Sequence, residues 1–122
     1  LAARVDADDL MAPNKFQKQV KILNDNSNKD LISTNSFSIN EYDTLLGRGF
    51  KRHNDLLKNG LLHKKGHGIV HLSIMGRKEW FLRNPYNNII IIIGQDYDLW
   101  RRAAEKKDFK ILILDEPLFY YR

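Results

Sequence analysis

Cysteine is absent from the 122 residues. That excludes disulfides and thiolate-ligated metal centres, and it fits a reducing compartment. Long apolar runs are missing too: the isoleucines Ile89 to Ile93 are far too few to cross a bilayer as a helix. There is no glycine-rich phosphate loop and no G-x-S-x-G nucleophile elbow, so the simplest signatures of P-loop nucleotide hydrolysis and of α/β-hydrolase chemistry are not present. Neither an internal repeat nor a low-complexity tail is visible.

What is present is ordinary for one globular domain: 43% hydrophobic and 29% charged residues, with enough chain for a modest core. The formal net charge is +5. Such a balance permits association with nucleic acid, anionic lipid or phosphorylated substrates and selects none of them.

Read in order, residues 1 to 6 form a buried strand that ends at the aspartates Asp6, Asp8 and Asp9. Pro13 then opens a helix over about 13 to 24, with Phe16, Val20 and Leu23 at helical spacing and Lys15, Gln17, Lys18 and Lys21 between them. Leu31 to Ile39 reads as a weak strand, Asn40 to Asp43 as a turn, and Thr44 to Leu46 as a short return. A basic section from Arg48 to His67 reads as a short helix and a glycine-broken loop. Gly68 to Met75 alternates as a strand with Val70, Leu72 and Ile74 on one face and His71 and Ser73 on the other. Arg77 to Leu82 is a helical turn, Asn84 to Asn88 a loop, and the isoleucines a strand. A helix follows from Gly94-Gln95-Asp96 to about Lys107, then a strand over Phe109 to Leu114, a turn at Asp115-Glu116-Pro117 and a closing segment to Arg122. This mixed order predicts an α/β domain.

Two acidic sites carry candidate chemistry. If residues 3 to 9 are extended, Asp6 and Asp8 share a face and Asp9 lies opposite. Two carboxylates at a strand end suit a hard cation such as Mg²⁺ or Mn²⁺, although acidic clusters are mostly solvated loops or helix-start charges. Asp96, at a helix start, is held ionised by the helix dipole and suits proton abstraction from a hydroxyl; the same position is a common cap. His71 and Ser73 either line a cleft or are satisfied within the fold. His63, His67 and His71 have a superficial metal-ligand spacing that Gly66 and Gly68 interrupt. The basic section is a solvated face or a contact for anionic headgroups or phosphate.

Arg4-Val5-Asp6-Ala7-Asp8-Asp9-Leu10-Met11, followed by Pro13, Lys15 and Gln19, resembles the aspartate motif of the family-two glycosyltransferases. His71-Leu72-Ser73-Ile74-Met75-Gly76-Arg77-Lys78 is similar to the same family's H-x-S-x-M-x-R-K segment. Gly94-Gln95-Asp96-Tyr97-Asp98-Leu99-Trp100-Arg101 resembles its acidic helix start, and Glu116-Pro117-Leu118 with Tyr120-Tyr121-Arg122 its P-L-x-x-Y-R close. These anchors stand in family order and span nearly the whole chain.

The resemblance implies a GT-A-type, Rossmann-like mixed sheet flanked by helices. It implies that residues 1–122 are the C-terminal, metal- and acceptor-side part of a single glycosyltransferase domain whose nucleotide-binding half is absent, so that this piece alone lacks activity. Asp6 and Asp8 would lie at the diphosphate and ribose of a nucleotide-sugar donor and hold Mn²⁺ or Mg²⁺, Asp8 the more directly. Asp96 would be the general base of an inverting transfer. His71 and Gln95 would face a glycan or lipid-linked acceptor, and Arg101 or Arg102 would reach phosphate. It further implies synthesis of polysaccharide or cell-surface glycan in the cytoplasm, at the inner face of a membrane if residues 48 to 65 touch it, with no nucleic acid partner. Gly76, where the family usually carries a bulkier apolar residue, and the isoleucine run depart from the pattern. A metal-dependent nuclease or phosphotransferase, and a non-catalytic binding module, are the alternatives.

Overall fold

The computed structural model describes residues 1–48, 69–87 and 94–122. The expected helix and loop of the basic section, the start of the Gly68 strand, the isoleucine strand, and His63 and His67 lie outside the described residues. The centre of the fold is a parallel pair, β3 (Leu31–Ile39) beside β6 (Ile111–Tyr121). Around it the sheet is antiparallel: β5 (Met75–Gly76) and then β1 (Ala2–Ala3) continue from one side of β3, β2 (Leu10–Met11) pairs with β6, and β4 (Leu45–Arg48) forms a hairpin with the far end of β3.

Alternation along β3 and β6 sends neighbouring side chains to opposite faces. Leu31, Ile111 and Ile113 join Trp80, Leu99, Trp100 and Ala103 in the larger core, beneath α2 (Lys78–Arg83) and α3 (Gln95–Glu105). Ile32, with Leu112 and Leu114, meets Leu23 of α1 (Lys15–Asp25) on the other face. The result is a mixed α/β domain of three layers, helix, sheet and helices, and it agrees with the α/β expectation.

Four local expectations are corrected. The opening strand is two residues long and exposed rather than buried over residues 1 to 6. Beyond it the chain turns, closed by Asp9 N–H donating to the Asp6 carbonyl, so alternation no longer assigns faces to the aspartates. The alternating stretch before Met75 is a 3₁₀ turn at His71–Ser73, because Ser73 is drawn inward. Its hydroxyl bonds Thr34 N–H and lies 2.9 Å from Ser33 Oγ. Asp115-Glu116-Pro117 does not turn the chain. The strand runs on through a double register shift opposite Asn35, where a proline without an N–H is tolerated. Finally, α1 buries Lys15, Gln19 and Leu23, while Phe16 faces outward.

The weak strand is thus the most buried one. Ser33, Thr34, Asn35 and Ser36 are all buried. A polar strand is stable there because its groups are bonded: Ser33 and the Thr34 N–H to Ser73, and Asn35 Nδ2 to Asp115. Gly76 is also explained. A Cβ there would stand 2.5 Å from Leu31 Cδ2 and 2.9 Å from Phe81 Cε2, so the close β3–β5 approach leaves no room for a side chain.

Candidate functional site

The acidic turn sits between two arginines. Arg4 lies 3.7 Å from Asp6, both about half exposed. Arg122 donates from its backbone N–H to Asp9 Oδ1 and from Nε to the Asp8 carbonyl. Burial pushes the Asp9 carboxyl up, the Arg122 N–H acts against this, and the neighbouring charges of Asp8 and Asp6 push it further up. Asp8 is exposed. Among the described residues no three His, Cys, Asp or Glu side chains are grouped to hold a metal ion. As hard oxygen donors, the Asp6 and Asp8 carboxylates are of the type that Mg²⁺ or Mn²⁺ takes.

From Arg4 the site continues toward α3. Arg4 Nη1 is 3.3 Å from His71 Nε2 and 3.4 Å from the Tyr86 hydroxyl, which itself is 2.9 Å from Nε2. A guanidinium only donates. Arg4 therefore donates to the Tyr86 hydroxyl, and His71 Nε2 lies against both groups in one polar cluster. The bond to Tyr86, opposed by partial burial, holds the Arg4 pKa above its usual value.

Neighbouring elements brace this cluster. The His71 ring meets Trp100 edge-on, with centroids 5.4 Å apart, and Trp100 stacks on Trp80. Gln19 Nε2 donates to the Ser73 carbonyl at 2.8 Å, joining α1 to the turn that carries His71. Asp98, only 8% exposed, pairs with Arg102 Nε at 2.7 Å, and Arg102 Nη2 donates to the Pro85 carbonyl beside Tyr86. The Arg102 hydrogen bond, joined by the weaker pull of Arg101, holds the Asp98 carboxyl below the usual carboxylate range. Both arginines named for phosphate are thus engaged with Asp98, and Arg101 also pairs with Glu105.

Asp96 stands in the first turn of α3, partly exposed, with Gln95 exposed before it. The turn begins at Gly94, whose φ of +92° favours glycine, and whose carbonyl accepts from Asp98 N–H. Asp96 and Trp100 are four residues apart and so share a helix face. Contacts therefore run from Asp6 through Arg4 and His71 to Trp100, one turn along α3 from Asp96. Arg4 and Tyr86 were not singled out from the sequence; Arg4 lies 67 and 82 positions from His71 and Tyr86, and Tyr86 lies 15 from His71, separations that no local pattern carries.

Fold and site define a mixed α/β protein with acidic and aromatic groups gathered at one region of a mixed sheet. No family model matches the chain. Over 121 residues, 98% of its length, the chain is 32% identical to an uncharacterized glycosyltransferase of Methanocaldococcus jannaschii. It spans 41% of the length of that relative.

Proposed function

We propose that this chain is the metal- and acceptor-side part of a family-two, GT-A-type glycosyltransferase that moves a sugar from a nucleotide-sugar donor to a hydroxyl acceptor with inversion. The observation that carries the reading is the run of contacts joining the Asp6 turn to the Trp100 face of α3 through Arg4 and His71. It runs from the Asp6 turn to the helix that carries Asp96, and this chemistry requires the two acidic sites on one cleft. The named activity of the 32% identical relative supports the same class.

In this reading Asp6 and Asp8 would hold Mn²⁺ or Mg²⁺ on the donor side, where the ion would supply positive charge against the departing nucleoside diphosphate. Asp96 removes the proton from the acceptor hydroxyl as that oxygen attacks the anomeric carbon, and the sugar–phosphate bond breaks on the opposite side. Arg4 keeps the donor-side carboxylate and the His71–Tyr86 pair in register. His71, with Nε2 committed to Arg4 and Tyr86, orients rather than exchanges protons through that nitrogen. Gln95 and His71 face the acceptor, a glycan or lipid-linked sugar, and the work is done in the cytoplasm, at the inner membrane face if the basic section meets lipid. A nuclease or phosphotransferase using the same aspartates, and a non-catalytic binding module, are the alternative readings, and the named activity of the relative favours neither of them.

The test uses the complete protein and a panel of nucleotide sugars, following release of nucleoside diphosphate with Mn²⁺ and with EDTA. Metal-dependent release from at least one donor is the expected result. No release from any donor, with cleavage of nucleic acid instead, would overturn the reading.

A further inference from the structure

Arg122 is held through both its backbone and its side chain. Its backbone N–H donates to Asp9 Oδ1 at 3.1 Å, and its Nε donates to the Asp8 carbonyl at 3.1 Å. Nη1 donates to the carbonyls of Asn40 and Glu41, and Nη2 to Asp43 Oδ1 at 2.6 Å. One edge of the guanidinium therefore holds the acidic turn, and the other holds the loop between β3 and β4.

That loop is built to receive it. Asn40 Oδ1 accepts the N–H groups of Tyr42 and Thr44, and the Asn40 carbonyl accepts Asp43 N–H. Asp43 has φ of +60°, a left-handed conformation unusual outside glycine, and its carboxylate meets Arg122. Leu10 and Met11 follow the turn directly and are fixed in β2 against Tyr120 and Phe119, so both ends of the contact belong to the sheet.

We propose that Arg122 is a positioning residue that shapes the acidic turn for the donor's cation, braced against the 40–43 loop. Two effects follow from the geometry. Holding the Asp8 carbonyl fixes the peptide plane after Asp8, and so the direction in which its side chain leaves the backbone. The backbone N–H of the same residue takes one oxygen of Asp9 and draws that carboxylate aside, a contact that a substitution of the side chain retains. A lysine retains the charge but lacks the planar fork, so it cannot hold the Asp8 carbonyl and Asp43 together.

This inference rests on the reading that Asp6 and Asp8 bind a divalent cation, and its test separates the two. Mn²⁺ is titrated into the complete protein, alone and with UDP or GDP, and free Mn²⁺ is read by electron paramagnetic resonance for wild type, Arg122→Lys and Asp43→Asn. Wild type binds, and Arg122→Lys binds about tenfold more weakly, the scale of loss seen when a residue supporting metal ligands is removed. Asp43→Asn, which keeps the Arg122 contacts to the turn, falls between them. Turnover of Arg122→Lys recovers to near wild type at saturating Mn²⁺, a split that a merely structural role would not produce. Wild-type Mn²⁺ affinity in Arg122→Lys overturns the role of Arg122 alone. No Mn²⁺ binding by wild type under any of these conditions overturns the cation reading and this inference with it.

Discussion

The Tyr86 hydroxyl lies 2.9 Å from Nε2 of His71, and Arg4 reaches both groups with a single nitrogen. Arg4 can only donate, so its bond to the Tyr86 hydroxyl ties the Asp6 turn to this pair. In Arg4→Met the Asp6 turn loses its tie to His71. Donor KM is expected to rise about three- to tenfold, in keeping with one partly exposed charged hydrogen-bond group of roughly 1 kcal/mol. An unchanged donor KM would show that the tie has no part in donor binding.

Gly76 has no space for a methyl group, with Leu31 Cδ2 and Phe81 Cε2 both within 3 Å of an added Cβ. Leu31 is fully buried and cannot withdraw into solvent. Gly76→Ala is expected to destabilise by about 1–3 kcal/mol, the ordinary cost of overpacking. Urea denaturation measures this directly, and a change under about 0.5 kcal/mol would refute the packing argument.

Lys15 is buried, and among the described residues its Nζ has no hydrogen-bond partner. Nζ lies over the ring of Phe16, 4.6 Å from the ring centroid. Burial lowers its pKa from 10.5 to about 8. The folded state therefore releases this proton before the unfolded state does. Below about pH 8 both states are charged and the burial cost is fully present; between about 8 and 10.5 the unfolded chain binds more protons, so stability rises with pH. Lys15→Met should be the more stable protein at pH 7, by an order-of-magnitude 3 kcal/mol. That advantage should shrink as pH rises from 8 to 10. A constant difference across this range would contradict the assignment.

Helices α1 and α3 were legible within about two residues, because the spacing of Val20 and Leu23, and of Leu99, Trp100 and Ala103, carries a helical period and Gly94 marks a start. Which face of α1 is buried was not legible. Phe16 is the more apolar residue, yet Lys15 and Gln19 point inward, Gln19 because the Ser73 carbonyl needs a donor there. The rank of β3 was hidden for a related reason: Leu31 to Ile39 reads only as a weak strand until Ser73, some forty positions on, supplies partners for Ser33 and Thr34 and Asp115 one for Asn35. Of the site, Asp6, Asp8, His71 and Asp96 were visible as residue types at recognisable spacing. Arg4, Tyr86 and the role of Arg122 were not, since each is defined by partners that only the folded sheet brings near.

The central claim is that Asp96 and the Asp6–Asp8 turn serve one reaction from opposite sides. It is tested most directly by comparing transfer by the complete protein with its Asp96→Asn variant, measuring kcat and donor affinity together. A lost general base should lower kcat by about 10²- to 10⁴-fold, with donor binding within threefold of wild type. Turnover equal to wild type in Asp96→Asn would contradict the account.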